Sequence, residues 1–231
     1  GLNKYLRCPL AFYYEEVLRV PSSTSEAAAT GLAMHTALQQ YFLLMQKDKK
    51  AQFPPVEKLV GYFTSDMDRM KNLFSEQSWQ QRRTLGQKVL QYYWTEQVSY
   101  WRKRSKVEFE LKNVELEGIP LKGVIDKIEY LEQNTLRIVD YKTGAYDKKR
   151  VALPSEDNPI GGDYYRQLLF YKVLVEQSHL FSETVAKGLI SWIEPNAKRN
   201  LVYDEMAFSK EDSTWMRQLI TETYANIRQL K

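Results

Sequence analysis

The chain has 231 residues, of which 43% are hydrophobic and 27% charged, with a formal net charge of +4 at pH 7. This length suffices for one substantial packed domain, and the composition is typical of a globular protein. No apolar run reaches the length of a membrane-spanning helix, so no membrane association is expected. The single cysteine excludes an internal disulfide and favours a reducing, cytoplasmic location. The small positive charge permits nucleic-acid binding but does not by itself indicate it.

The N-terminal part of the chain has the periodicity of helices. Helices are expected over residues 2–18, interrupted at Pro9, from residue 26 or 30 to 46, over 56–75 and over 79–104. Helical spacing places five side chains on one face of the second of these: Leu32, His35, Leu38, Gln39 and Phe42. The first 105 residues therefore predict a helical subdomain.

The second half of the chain has the period-two alternation of strands. Strands are expected over 107–117, in a hairpin with its turn at Gln133-Asn134, and over 185–194 and 200–208. A helix should separate the two groups of strands, and a last helix should follow Ser209 as its N-cap. Residues 145–162 are rich in charge, Pro and Gly, which predicts a long mobile loop. The order of elements predicts a mixed α/β fold with a central mixed sheet flanked by helices.

The hairpin carries the most informative residues, Asp126, Asp140 and Lys142. Because side chains alternate along a strand, Asp140 and Lys142 share one face and Tyr141 lies on the other. Two carboxylates and an ammonium are costly to bury together without a purpose. Such a trio suits a hard divalent cation and an attacking water. The Asp-Tyr-Lys triplet alone, however, fits an exposed strand end with a surface ion pair equally well.

Four short motifs follow one another along the chain. They read Gly-Leu-Ala-Met-His at 31–35, Gly-Val-Ile-Asp-Lys-Ile at 123–128, Asp-Tyr-Lys-Thr-Gly at 140–144 and Gln-Leu-Leu-Phe-Tyr at 167–171. This series resembles the PD-(D/E)XK nuclease superfamily in its RecB-like branch. One position departs from the pattern, since Lys127 stands where arginine is usual, which keeps the charge but loses the planar fork. Residues 5–12 also resemble the entry to the nuclease domain of AddB-type helicase–nuclease proteins.

The resemblance implies a restriction-endonuclease-like core, in a single domain over 1–231 with its catalytic part over 106–231. The start at Gly1 without an initiator methionine, directly before an amphipathic segment, favours a domain cut from a longer polypeptide. It also implies a metal-dependent deoxyribonuclease that uses Mg²⁺ or Mn²⁺. The implied metal ligands are His35, Asp126, Asp140 and the backbone carbonyl of Tyr141, and the imidazole favours Mn²⁺. Lys142 would orient the water or stabilise charge on the phosphate.

The last motif and several other residues receive weaker assignments. Gln167 and Tyr171 would brace the ligand strands or touch DNA, although Tyr171 also fits a core aromatic, as His35 fits a packed helix residue. The basic residues Lys148, Lys149 and Arg150 follow the metal motif and are candidates for DNA contacts, with a solvated face as the alternative. Glu108 and Glu110 lie outside the motifs and are interpreted as structural or peripheral. Cys8 is expected to be a small buried apolar residue, because one thiolate cannot hold an iron–sulfur cluster.

These expectations combine into a function: an exonuclease in recombinational DNA repair. Its partners would be DNA, a helicase-like region of the same polypeptide and a partner helicase subunit. One alternative is a catalytically idle DNA-binding or scaffold module of a helicase–nuclease complex. A third possibility is a nuclease with RNA or CRISPR-adaptation substrates, against which the missing cysteines weigh.

Overall fold

The structure is a computed structural model and describes residues 1–21 and 23–229. The α-helices of this part are α1 (Leu2–Arg7), α2 (Pro9–Phe12), α3 (Glu26–Lys47), α4 (Val56–Arg69), α5 (Glu76–Gln97), α6 (Asp163–Ser178) and α7 (Lys210–Gln229). Its strands are β1 (Ser105–Leu116), β2 (Ile119–Tyr130), β3 (Thr135–Lys142), β4 (Thr184–Trp192) and β5 (Tyr203–Ala207). A π-helical turn follows α2 at Tyr13–Val17, and 3₁₀ turns lie at Lys71–Leu73 and Lys148–Val151.

The strands form one mixed sheet in the order β1-β2-β3-β4-β5. The first three strands are an antiparallel meander, β3 and β4 are parallel, and β5 is antiparallel to β4. The parallel pair is joined through α6, because parallel neighbours need a crossover rather than a tight turn. The predicted mixed α/β fold with a central mixed sheet is therefore confirmed. Within the described residues, no helix is long and apolar enough to span a bilayer.

Two apolar cores lie against the sheet. The first combines the sheet with α6 and α7 and includes Ile138 of β3. The second combines α3, α4 and α5 with Val139 and Tyr141 of the same strand. Because neighbouring residues of β3 point into different cores, the strand is buried on both faces. The strand that carries the Asp-Tyr-Lys motif is thus held rigidly between two groups of helices.

Several local predictions can be compared with the structure. The turn at Gln133-Asn134 is confirmed, with φ near +57° at both residues. Ser209 does cap α7, since its Oγ accepts a hydrogen bond from the N–H of Asp212 at 3.1 Å. The last helix of the N-terminal part ends at Gln97 rather than at residue 104. Residues 145–162 form no strand or α-helix and contain the short 3₁₀ turn already described.

The predicted face of α3 is only partly buried, and the predicted burial of Cys8 is wrong. Leu32 is 58% exposed, whereas Leu38 and Phe42 of the same predicted face are buried together with the neighbouring Ala33 and Ala37. The buried side of α3 is therefore wider than the predicted face, and Leu32 lies at its exposed edge. Cys8 is only half-buried and caps α2, where its Sγ accepts from the N–H of Ala11 at 3.5 Å.

Lys127, which departs from the family pattern, has a structural role on the face of the sheet that α3 covers. Its side chain is 1% exposed, and Nζ lies 2.7 Å from Oε1 of Glu129. The same ammonium lies 3.8 Å from the ring centroid of Phe42 on α3. Arg137 binds the other oxygen of Glu129 at 2.6 Å. Burial opposes ionisation of Glu129, but attraction by Lys127 and then by Arg137 outweighs it and lowers the pKa of the carboxyl.

Candidate active site

The β2–β3 hairpin brings the three central motif residues together. Lys142 Nζ lies 2.7 Å from Asp140 Oδ2, so these two side chains share a face of β3, with Tyr141 in the core on the other face. The backbone N–H of Tyr141 donates to Asp126 Oδ2 at 2.8 Å. The register supports this geometry, because Lys127 pairs with Val139 and the next position places Asp126 beside Asp140.

Helix α3 contributes His35 to the same place. His35 Nδ1 lies 3.3 Å from Asp126 Oδ2. One turn earlier on the helix stands Gly31, where a Cβ atom would lie 2.8 Å from Oγ1 of Thr143 at the end of β3. A side chain there would displace the Thr143 hydroxyl or the helix itself, so the glycine favours the close approach that brings the histidine to the carboxylate.

A residue outside the motifs completes the cluster. Ligand atoms of His35, Glu108 and Asp126 all lie within 4.8 Å of one another, so Glu108, which the sequence suggested to be structural or peripheral, lies at the cluster. Glu108 stands between the pairs Val107–Lys127 and Phe109–Ile125, which places it opposite Asp126. Its φ of +44° is unusual for a residue other than glycine inside a strand. Strained backbone of this kind concentrates at functional sites.

Burial and the closeness of the carboxylates shift the pKa values of the cluster. Burial, and then repulsion by Asp126, raises the pKa of Asp140 from 3.8 to about 6, although Lys142 acts in the opposite direction. Burial and the Asp126 charge also raise the pKa of Glu108. Burial disfavours the charged form of His35, but Asp126 outweighs it and raises the pKa of the imidazole. Negative charge is therefore in excess around Asp126 and attracts protons or other cations.

The donor atoms fit a divalent cation. Asp140 is 2% exposed, and its Oδ2 is buried without a hydrogen-bond donor among the described residues. The ammonium of Lys142 lies at ion-pair distance from this oxygen, but its approach lacks hydrogen-bond geometry. The oxygen therefore has one ion-pair partner and no aligned hydrogen bond, which leaves a lone pair for a further ligand such as a divalent cation. Carboxylate oxygens with one imidazole form a ligand set that Mg²⁺ tolerates and Mn²⁺ accepts readily.

Helix α6 holds the lysine from the opposite side. Lys142 Nζ donates to Oε1 of Gln167 at 2.9 Å, and Nε2 of Gln167 donates to the hydroxyl of Tyr171 at 2.9 Å. The helix comes close to β2 because Gly123 lacks a side chain there, where a Cβ atom would lie 2.9 Å from Cδ2 of Leu174. The fourth motif therefore orients Lys142 through a chain of two hydrogen bonds.

The 3₁₀ turn at Lys148–Val151 carries Lys148, Lys149 and Arg150 and is called the basic turn below. Its basic residues are of two kinds. Lys148 and Lys149 are exposed. Arg150 is instead anchored by Asp163 at the start of α6, where its Nε donates to Oδ1 at 3.0 Å. The three residues predicted as DNA contacts thus divide into two accessible lysines and one arginine with a partner in the fold.

Comparison with known proteins supports a family assignment. The crystal structure of a proposed exonuclease from Eubacterium rectale matches with a TM-score of 0.60 and 13% identity, covering 96% of this chain and 73% of that one. The structure of SSO0001 matches with a TM-score of 0.37 and 16% identity over 81% of this chain and 85% of that one, too weakly to carry an argument. A search of curated proteins finds no match. The model of the PD-(D/E)XK nuclease superfamily matches residues 1–231, and the chain belongs to that superfamily.

Proposed function

We propose that this chain is a metal-dependent deoxyribonuclease of the RecB-like branch that hydrolyses phosphodiester bonds, with Mg²⁺ or Mn²⁺ as its cofactor. One observation carries the proposal. The cluster of His35, Glu108 and Asp126 lies beside the buried pair of Asp140 and Lys142. A nuclease needs both parts, a site for a cation and a positive group that orients water or stabilises a phosphate.

Each side chain receives a role from its contacts. The proposed ligands are His35, Glu108, Asp126 and Asp140, together with the backbone carbonyl of Tyr141. A bound divalent cation supplies Lewis-acid polarisation of the phosphate and lowers the pKa of water.

Lys142 is the proposed catalytic ammonium, because it is the basic group paired with Asp140 at the cluster. Its Nζ orients the attacking water or stabilises negative charge that develops on the phosphate. Gln167 fixes the position of that ammonium, and Tyr171 fixes the amide of Gln167. The motif on α6 thus contributes to catalysis through orientation of the lysine.

The finer assignment is to an exonuclease that acts on DNA during recombinational repair, in the cytoplasm. Lys148 and Lys149 are the proposed phosphate contacts, because they are exposed on the turn that follows the metal motif. A helicase-like region of the same polypeptide and a partner helicase subunit are the proposed partners, supported by the resemblance of residues 5–12 to AddB-type proteins.

Cleavage of end-labelled DNA tests this function. We expect linear DNA to be degraded with Mn²⁺ or Mg²⁺ and to remain intact with EDTA. Circular single strands should also remain intact, since an exonuclease requires an end. Asp126→Ala is the matched control, because it removes a ligand from the cluster. Degradation of linear and circular DNA alike would replace the exonuclease with an endonuclease.

The second candidate is a catalytically idle scaffold, which the intact ligand set disfavours. Titration calorimetry distinguishes the two without any cleavage assay. A nuclease site should bind Mn²⁺, and His35→Ala should weaken that binding about 10-fold. Equal and negligible heats for the two proteins would support the scaffold.

A further inference from the structure

An aromatic ring on α6 contacts the active-site lysine, at a position that lies outside all four motifs. Lys142 Nζ lies 4.2 Å from the ring centroid of Tyr164. Cζ of Arg150, in the basic turn, lies 3.7 Å from the same centroid. Tyr164 is 8% exposed. One buried ring thus contacts the proposed catalytic ammonium and the anchored arginine of the basic turn.

We propose that Tyr164 is a positioning residue for Lys142, a role that rests on the nuclease function proposed above. The face of an aromatic ring carries negative electrostatic potential and attracts an ammonium, most strongly where water is excluded. A lysine has a flexible four-carbon stem and many rotamers, so its catalytic position must be fixed by neighbours. The ring restricts the rotamers of Lys142 without forming a salt bridge that would neutralise its charge.

The ring complements the two other contacts of the ammonium. Asp140 provides an ion pair at 2.7 Å and Gln167 a hydrogen bond at 2.9 Å. Asp140 is also a proposed metal ligand, so its negative charge is shared when a cation binds. Gln167 and Tyr164 are uncharged and lie outside the proposed ligand set. The contacts of these two side chains with Lys142 therefore do not depend on the charge of a proposed metal ligand.

The sheet fixes the ring in turn. The Tyr164 ring packs against Trp192 of β4, with 5.6 Å between the ring centroids. Trp192 is 1% exposed, and its Nε1 donates to Oδ2 of Asp204 at 2.9 Å. Arg150 is held separately by Asp163. The Tyr164 ring that contacts Lys142 therefore packs on a buried strand residue, which supports the precise orientation of the ammonium.

Nuclear magnetic resonance tests the contact independently of cleavage. In protein with isotopically labelled lysine, the ring current of Tyr164 should shift the Cε protons of Lys142 upfield, and Lys142→Arg assigns the signal. Tyr164→Leu should return this signal to the ordinary lysine position, whereas Tyr164→Phe keeps the ring and should keep the shift. An unchanged signal in Tyr164→Leu would overturn the proposal.

Single-turnover kinetics test the consequence. With saturating DNA and Mn²⁺, Tyr164→Leu should cleave about 10-fold more slowly, and Tyr164→Phe should stay within about 2-fold of the original rate. Mn²⁺ affinity should not change, because Tyr164 is not a ligand. Equal rates for the Leu and Phe variants, or a lost ring-current shift with no loss of rate, would show that the ring does not position the lysine.

The neighbouring Tyr165 provides the matched control. It is equally buried, but its ring packs on Trp215 and its hydroxyl donates to Oδ1 of Asp212 at 3.1 Å. Tyr165→Leu should lower Tm while the Lys142 signal and the cleavage rate of the folded protein stay unchanged. Failure of the original protein to cleave DNA would refute the proposed function, whereas the Lys142 signal would still decide whether the ring holds the ammonium.

Discussion

The backbone N–H of Tyr141 donates to Oδ2 of Asp126 at 2.8 Å, so one strand of the hairpin fixes the carboxylate of the other. The same oxygen lies 3.3 Å from Nδ1 of His35. Strands β2 and β3 and helix α3 therefore meet at a single carboxylate. Proposed ligands on three elements of the fold form a preorganised site, so changes there should alter chemistry more than folding.

Asp140 should limit stability while it is required for activity. Its pKa is raised from 3.8 to about 6 by burial and then by Asp126, so ionisation costs more in the folded chain than in the unfolded one. This destabilisation grows as the pH rises from about 4 to about 6 and is complete above that range. We expect Asp140→Asn to abolish cleavage and, at about pH 8, to unfold at the same Tm or a higher one. A lower Tm for the variant at that pH would contradict the electrostatic argument.

Glu108 should contribute to metal binding, although it lies outside the sequence motifs. Glu108→Gln removes one negative oxygen from the cluster with His35 and Asp126 and should weaken Mn²⁺ binding about 10-fold by calorimetry. Glu110 provides the control, because it lies on the same strand, is exposed and pairs with Lys112 at 2.8 Å. Glu110→Gln should bind Mn²⁺ like the original protein. Equal affinities for the two variants would remove Glu108 from the ligand set.

The contrast between these glutamates shows why sequence reveals only part of the site. Asp140 and Lys142 could be placed together from the sequence, since two residues on one strand share a face whatever the rest of the fold does. The same rule puts Glu108 and Glu110 on one face and cannot distinguish them. The distinction depends on the register of β1 against β2 and on the φ of +44° at Glu108, both fixed by tertiary contacts. The order and periodicity of the elements predicted a mixed sheet, but they could not identify Glu108 as the residue opposite Asp126.

The two exposed lysines of the basic turn should have a different function from its arginine. Lys148→Ala with Lys149→Ala should weaken DNA binding and reduce the slope of log K against log salt by about 1.5, since each lysine–phosphate contact releases counterions. Single-turnover cleavage at saturating DNA should survive, because neither lysine belongs to the cluster. Arg150→Ala should instead lower Tm through loss of its pair with Asp163. An unchanged salt slope in the double variant would exclude the two lysines as phosphate contacts.

The buried pair of Lys127 and Glu129 should dominate the response of the fold to acid. Attraction by Lys127 and Arg137 outweighs burial and lowers the pKa of Glu129 from 4.5. Its contribution to the free energy of unfolding is therefore complete above about pH 4.5 and is lost as the pH falls through the lowered value. Glu129→Gln leaves the ammonium of Lys127 buried without a carboxylate and should cost about 3–5 kcal/mol at neutral pH.

Urea unfolding between about pH 7 and about pH 3 measures this effect. The original protein should lose stability steeply at the acid end, and Glu129→Gln should start lower and depend less on pH, because it lacks the titrating group. Glu132→Gln is the control, since Glu132 is exposed beside the β2–β3 turn and should leave both the stability and its pH dependence unchanged. If Glu129→Gln ran parallel to the original curve over the whole range, the acid sensitivity would arise elsewhere in the fold, and the buried pair would act only through its packing.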